Sequence, residues 1–469
     1  MSGRSIIALV TVFLLVALGV AFYVAGQEPG PVVKVTRPDA VGQSGLVFEA
    51  SVDTLGSRLS RFDVVLEQGL NRHPLFSLAA PGSATFAQET ADRMRITATV
   101  PAEAVAGLHD GPATLHVDAG RRILFGLREA ASSESRPIRV QLTPPIVKVM
   151  SNHHYIRLGG AEAIVYWVAP PDATSGVMVG DRFYPGYAAS GVAGGHSADP
   201  SLKVAFFALA FDQDVNTPIR LYARDAAGNE TTGQFPYRAF TASFAESRVD
   251  LDDRFLERVV PAILEATPGF TADGGEGNLL SAFLDINRTL REQNAEQIAG
   301  YASDTSPEWL SRGPFARLGR SSSEDVFADH RTYFHNGREI DQQIHLGVDL
   351  ASTRRAPVTS AQAGRVLFAG YLGIYGNTVI LDHGMGVQSL YAHLSSLDVE
   401  KGDRVEQGEV IGRSGMTGLA GGDHVHFTIL VNGTPVNPIE WWDPNWVHDR
   451  IERKLEEADI IDEAVGRRR

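Results

Sequence analysis

The chain has 469 residues, 43% of them hydrophobic and 21% charged, the composition of a folded protein too long for one ordinary domain. Its formal charge of −14, with no Lys and Arg cluster outside the last three residues, argues against nucleic acid as a partner. The absence of cysteine excludes disulfides, thiolate metal sites and a cysteine nucleophile, so any metal must be held by His, Asp or Glu.

The N-terminal stretch MSGRSIIALVTVFLLVALGVAFYVAGQEPG carries Arg4 and then an apolar run from Ile6 to Ala25 broken only by Thr11. About 20 apolar residues span a bilayer as a helix, whereas a cleavable signal core is roughly 7 to 15 long. Residues 1–28 are therefore expected to be an uncleaved transmembrane anchor, with cleavage near Gly26 as the alternative. Arg4 before the run and Glu28 after it keep the short N-terminus in the cytoplasm by the positive-inside rule. The predicted location is the inner membrane, single-pass, with the rest of the chain on the periplasmic or extracytoplasmic side.

From Pro29 to about residue 240, short runs such as GLVFEASV, RITATV, ATLHVDA, EAIVYWVA and VAFFALAF alternate with Gly, Pro, Asp and Asn clusters. This is β-sandwich patterning. The stretch PVVKV at Pro31 recurs as PIVKV at Pro145, which divides the region into a sandwich unit at 29–140 and a second at 141–240; the end of the second, IRLYARDAAGNET at 219–231, resembles the closing strand of bacterial immunoglobulin-like domains, which implies an Ig-like unit. Residues 241–313 change period: Leu279, Phe283, Ile286 and Leu290 form one apolar helical face, and LDDRFLERVVPAIL precedes them as a second helix that Pro261 is expected to kink. This helical linker stands directly before the next domain, a position suited to restraining it. Glycine-punctuated strands occupy 314–445. The tail 446–469, with its Glu and Arg alternation, reads as a surface helix in which His448 is solvated. The fold class is mainly β: a membrane helix, two β-sandwich units, a short helical segment and a C-terminal antiparallel β domain.

Within that last domain GGDHVHFTIL places His424 and His426 two residues apart, which on a strand puts both on one face. In HLGVDLAS, His345 and Asp349 are four apart and share a face on either a strand or a helix. In SLYAHLSSL, His393 follows an aromatic strand. His383 in LDHGMG reads as structural. His153 and His154 read as surface or core histidines, and Trp441 and Trp442 as packing for the end of the sheet. Gly415, Gly418, Gly421 and Gly422 suggest a flexible loop over a groove; no G-K-S/T follows to make it a phosphate loop.

The ordered set HLGVDLAS, YAHLSSL and GRSGMTGLAGGDHVHFTI resembles the lysostaphin-like (LytM-type) zinc metallopeptidases, which cut peptide bonds in bacterial peptidoglycan. The resemblance covers residues 314–445. It departs from the family at Asp423, before His424, and at HNGREIDQQI, which lengthens the approach to His345; both bear on substrate fit. It implies Zn2+ held by His345, Asp349 and His426, with His393 and His424 beside the metal as catalytic proton-transfer groups. A zinc with three such ligands keeps a fourth position open for water. The implied protein is a zinc-dependent endopeptidase acting on peptidoglycan peptide, with the β units available to envelope protein partners. Relatives that lose the ligands become regulators of another wall hydrolase, and an envelope scaffold is a further alternative.

Overall fold

The computed structural model describes residues 3–273, 277–319 and 321–461. The side chain of Arg4, residues 274–276 of the loop between the linker helices and the basic last three residues lie outside the described residues. The chain divides into two compact units, one of residues 1–145 with 224–231 and one of 146–223 with 232–469.

The first unit opens with helix α1, Gly3–Ala25, of 23 residues, whose large apolar side chains, Phe13, Leu14 and Leu15 among them, are exposed, while Ala25 at its end is buried against Ile123 and Ala130. Side chains of α1 are described for residues 6, 7 and 9–25, and among the described residues no helix is long and apolar enough to cross a membrane. The expected transmembrane anchor is thus a helix without a demonstrated span. Behind it, a four-stranded sheet begun by Val32–Arg37 and a five-stranded sheet centred on Gly111–Ile123 form a sandwich. Phe48, Ala50 and Val52 alternate inward on one strand and Ile96, Ala98 and Val100 on the next, against Phe62 and Leu115, as period-two patterning requires.

The second unit also begins with a strand from the repeated pentapeptide, Ile146–Val149, paired antiparallel with Gly160–Ala169. Its strands before residue 240 share one apolar core with the C-terminal domain. Phe206 lies 4.7 Å from Trp309 and 6.2 Å from Trp441, whose indole in turn sits 5.2 Å from Phe315. Two separate domains were expected here; the aromatic contacts fuse them. In the C-terminal domain, an eight-stranded sheet runs through Val348–Ala351, Val425–Val431, Val387–Leu394, Asn377–Gly384 and Gly364–Tyr371, all antiparallel neighbours.

The linker differs from its sequence reading. Glu246–Leu251 is a strand, and it pairs in parallel with Asp329–His335, the first arm of the HNGREIDQQI hairpin. Helices α2 (Asp253–Ala266), α3 (Leu279–Asp285) and α4 (Arg291–Gly300) follow, with a π-helical turn at Ile286–Leu290 joining the last two. Asp252 caps α2 by accepting from Phe255 N at 2.8 Å, and α2 runs on through Pro261. The predicted apolar face is buried: Phe283, Ile286 and Leu290 pack with Val259 and Ile263 on Tyr333 and Ile374 of the C-terminal domain. These helices are part of that domain's body.

The tail also departs from a surface helix. Ile451, Leu455 and Ile460 are buried, and the buried Lys454 Nζ donates to Glu162 Oε1 and Ala163 O on the strand Gly160–Ala169. His448 is half-buried, 3.7 Å from Glu452. Nearby, Glu440 Oε2 accepts from Ala161 N at 3.0 Å, and burial pushes its carboxyl up to about 7 against that hydrogen bond. Folded Glu440 keeps its proton to about pH 7 while an unfolded one loses it near 4.5, so the folded state binds more protons in between and stability falls as pH rises across that window. Glu440→Gln is expected to remove that fall, at most about 1.4 kcal/mol per pH unit. Urea unfolding of both proteins at pH 5 and pH 8 checks it; the same loss between the two pH values in parent and variant would clear Glu440 of responsibility.

Candidate active site

His345 ends the strand Arg338–His345, Asp349 lies on Val348–Ala351, and His426 on Val425–Val431 stands directly across from Asp349 in register. Along the last strand Val425, Phe427 and Ile429 enter the core, so His424, His426 and Thr428 face the other way. His345 Nε2, Asp349 Oδ1 and His426 Nδ1 form a triangle with sides of 3.0, 3.0 and 2.8 Å. All three residues are buried.

The partners outside the triangle fix which atoms carry hydrogen. His345 Nδ1 lies 3.2 Å from Val326 O, and a carbonyl only accepts, so that nitrogen bears the proton and Nε2 presents a lone pair. Thr428 Oγ1 donates to Leu346 O at 2.9 Å and therefore accepts from His426 Nε2 at 3.0 Å, which leaves Nδ1 unprotonated. Three lone-pair donors thus converge with no hydrogen to share, an arrangement that calls for a cation between them. Two imidazole nitrogens and a carboxylate oxygen are a donor set suited to zinc, whose tetrahedral ligands stand about 3.3 Å apart. The residues fit the metal.

Two further imidazoles flank the triangle. His393 Nδ1 donates to Thr417 O at 2.8 Å and His424 Nδ1 to Gly422 O at 2.9 Å, so each directs an unprotonated Nε2 away from the backbone. Their rings are 4.9 Å apart, and His393 lies 6.0 Å from His426. Burial, reinforced by His424 and His426, lowers the His393 pKa well below its ordinary value. His424 Nε2 is 3.7 Å from Asp349 Oδ1. All five predicted site residues therefore meet at one place, and all five line a cleft of about 1120 Å3.

Other side chains of the site escaped the sequence reading. Arg331 Nη2 donates to Asp349 Oδ2 at 3.1 Å and to Asp325 Oδ2 at 2.7 Å, fixing the carboxylate from its outer side. Tyr375 stands 5.6 Å from the His426 ring. Thr428 had a readable signal, since it continues the period of two from His424 and His426. Gly347 had one too: a Cβ there would sit 2.5 Å from His426 Nε2, so HLGVD requires glycine at its centre. The two departures from the family text are structural. Asp423 accepts from Ser414 Oγ at 2.6 Å and Arg355 N at 3.2 Å, and the hairpin supplies Arg331.

The glycine loop is only partly free. At Gly418, with φ +70°, a Cβ would lie 2.4 Å from Gly376 N, and Gly415 bridges to His424, whereas Gly421 and Gly422 have open space and line the cleft. His383 is buried between Ala363 O and Ser389 Oγ, and burial lowers its pKa to about 4. His154 is a core histidine held by Ser151 and Pro236 O; its neighbour His153 takes φ +58°. Trp442 stacks on Phe427 at 5.6 Å.

Residues 343–438 match Peptidase family M23. A DD-carboxypeptidase/endopeptidase, Mpg, of Neisseria meningitidis is 43% identical over 97 residues, 21% of this chain and 22% of that protein. The peptidoglycan DD-endopeptidase ShyA of Vibrio cholerae is 38% identical over 96 residues, 20% of this chain and 22% of that protein. The chain thus aligns with little more than a fifth of the length of these relatives. The catalytic domain of the antimicrobial peptidase lysostaphin from Staphylococcus simulans is 26% identical, with 30% of this chain and 94% of that one covered at a TM-score of 0.20.

Proposed function

We propose that this chain, which carries an M23 peptidase domain of the lysostaphin type at residues 343–438, is a zinc-dependent endopeptidase that hydrolyses peptide bonds in bacterial cell-wall peptidoglycan. The observation that carries the reading is the convergence of three unprotonated donors, His345 Nε2, Asp349 Oδ1 and His426 Nδ1, on residues that line the cleft. When bound there, zinc supplies Lewis acidity toward a scissile carbonyl and lowers the pKa of water toward about 7. His393 and His424 supply proton transfer. With Nδ1–H committed to a carbonyl, each can accept a proton only at Nε2, on the cleft side. Burial disfavours the charged form of His393, so a proton taken there is readily passed to the departing amine. Arg331 keeps the Asp349 carboxylate oriented while this happens.

Retention of all five residues in one cleft favours an enzyme over a regulator that has lost its ligands. We further assign α1 the role of inner-membrane anchor with the catalytic domain outside the cytoplasm, on the strength of its apolar run. Digestion of purified peptidoglycan by the zinc-loaded protein, with the fragments identified by mass spectrometry, is expected to yield cleaved cross-links or stems, and a chelator is expected to stop it. Full zinc content without any released fragment would overturn the peptidase reading. The protein is expected to leave membranes with detergent and not with salt; release by salt alone would overturn the anchor.

A further inference from the structure

The cleft has one wall that the M23 match does not include. Strand Glu246–Leu251, the π-helical turn Ile286–Leu290 and the first turn of α4 line it with Arg248, Arg288, Arg291 and Glu292. Of the four arginines around the cleft, three have their charge answered by carboxylates. Arg248 pairs with Asp250 at 2.7 Å, Arg288 with Asp341 at 2.8 Å, and Arg331 with Asp325 and Asp349. Arg291 is different. Its Nε donates to Asn287 O at 3.0 Å and its Nη2 to Asn287 Oδ1, and among the described residues no carboxylate meets its guanidinium.

The hold on Arg291 is built, not incidental. Asn287 is buried, its Nδ2 donates to Asp341 Oδ2 at 2.8 Å, and Asp341 is in turn fixed by Arg288. The Asn287 amide oxygen is thereby turned to Arg291. The π turn brings these residues together at some cost in helical hydrogen bonding, a deviation that recurs at functional sites. The held guanidinium belongs to a side chain that lines the cleft with the metal triangle and Tyr375, and among the described residues its Nη1 meets no hydrogen-bond acceptor. A fixed, partly buried cation with free donors and no internal counter-charge is suited to a planar anion, and among peptide groups that is a carboxylate.

We propose that Arg291 is the specificity-determining residue of this cleft and binds a free carboxylate of the substrate peptide, so that the enzyme prefers stems whose carboxylates are not amidated. This rests on the peptidase reading above and extends it to a substrate feature set by the upstream wall.

The test uses the full zinc-loaded chain and two fluorescently labelled wall-stem peptides that differ only in having free carboxylates or carboxamides. The parent protein is expected to cleave the carboxylate peptide with the lower KM. Arg291→Gln is expected to raise KM for that peptide on the order of 10- to 100-fold, leave kcat nearly unchanged and leave the amidated peptide unaffected. Arg291→Lys, which keeps the charge without the fork, is expected to fall between. Zinc content and turnover of the amidated peptide serve as controls for a merely structural role and are expected not to move, whereas the thermal midpoint is expected to fall modestly in Arg291→Gln because the buried Asn287 Oδ1 loses its donor. Binding of both peptides followed by anisotropy gives the same contrast without turnover. Absence of cleavage with discriminating binding would overturn the peptidase reading alone. Equal binding of the two peptides by the parent, or an equal loss on both in Arg291→Gln, would overturn the assignment of Arg291.

Discussion

Replacing His426 or Asp349 by alanine is expected to abolish both zinc retention and hydrolysis, whereas His393→Ala and His424→Ala are expected to keep the metal and lose turnover by about 10² to 10⁴. The reason lies in what each group faces. His426 Nδ1 and Asp349 Oδ1 stand 3.0 Å apart inside the triangle, and neither has a substitute within it. His393 and His424 lie outside it, with Nδ1 tied to Thr417 O and Gly422 O. His424 Nε2 lies 3.7 Å from Asp349 Oδ1, which makes it the informative case. Zinc per protein, hydrolysis of a wall-derived peptide and a folding control on each variant separate the two classes. Loss of zinc in His424→Ala as complete as in His426→Ala would make both histidines ligands and remove one of the two proposed proton carriers.

The metal triangle was legible because strands repeat every two residues. His424 and His426 necessarily share a face, His345 and Asp349 sit four apart, and the ordered motifs carry a specific family likeness. The β-sandwich units were legible for the same reason, through alternating stretches such as RITATV. What could not be read depended on partners distant in sequence. ESRVDL, which becomes the strand Glu246–Leu251, has little apolar content, and its pairing residues begin at His330. The Glu and Arg alternation of the tail imitates a solvated helix, yet Lys454 is buried against Glu162, 292 positions earlier. No local pattern announces a buried ion pair, since its stability depends on both charges being enclosed and hydrogen-bonded together. Gly415 and Gly418 read as flexible because glycine permits motion; here they permit close packing instead.

A chain beginning at residue 314 is expected neither to fold cooperatively nor to cut peptidoglycan, even though it contains all five site residues. From the sequence, the helices before it had the position of a removable restraint. In the fold they complete the domain. Phe283 packs on Tyr333 with ring centroids 6.0 Å apart, and Ile298 joins Leu367, Ile380 and Leu390. Asn294 Oδ1 accepts from Ile374 N at 3.0 Å, and Arg258 Nη2 donates to Ala420 O at 2.8 Å, which steadies the glycine loop beside the cleft. Removing residues before 314 uncovers this apolar surface and leaves Asp329–His335 an open edge, the kind of surface that drives aggregation. Single substitutions grade the effect: Phe283→Ala in the full chain is expected to cost about 3–5 kcal/mol, because the ring is fully buried and the cavity lies between helix and sheet. Thermal unfolding and peptidoglycan digestion by the truncated chain, beside the full chain and the Phe283 variant, test this together. A truncated chain that melts cooperatively and digests the wall faster than the full protein would restore the helices as a restraint and refute their part in the domain's core.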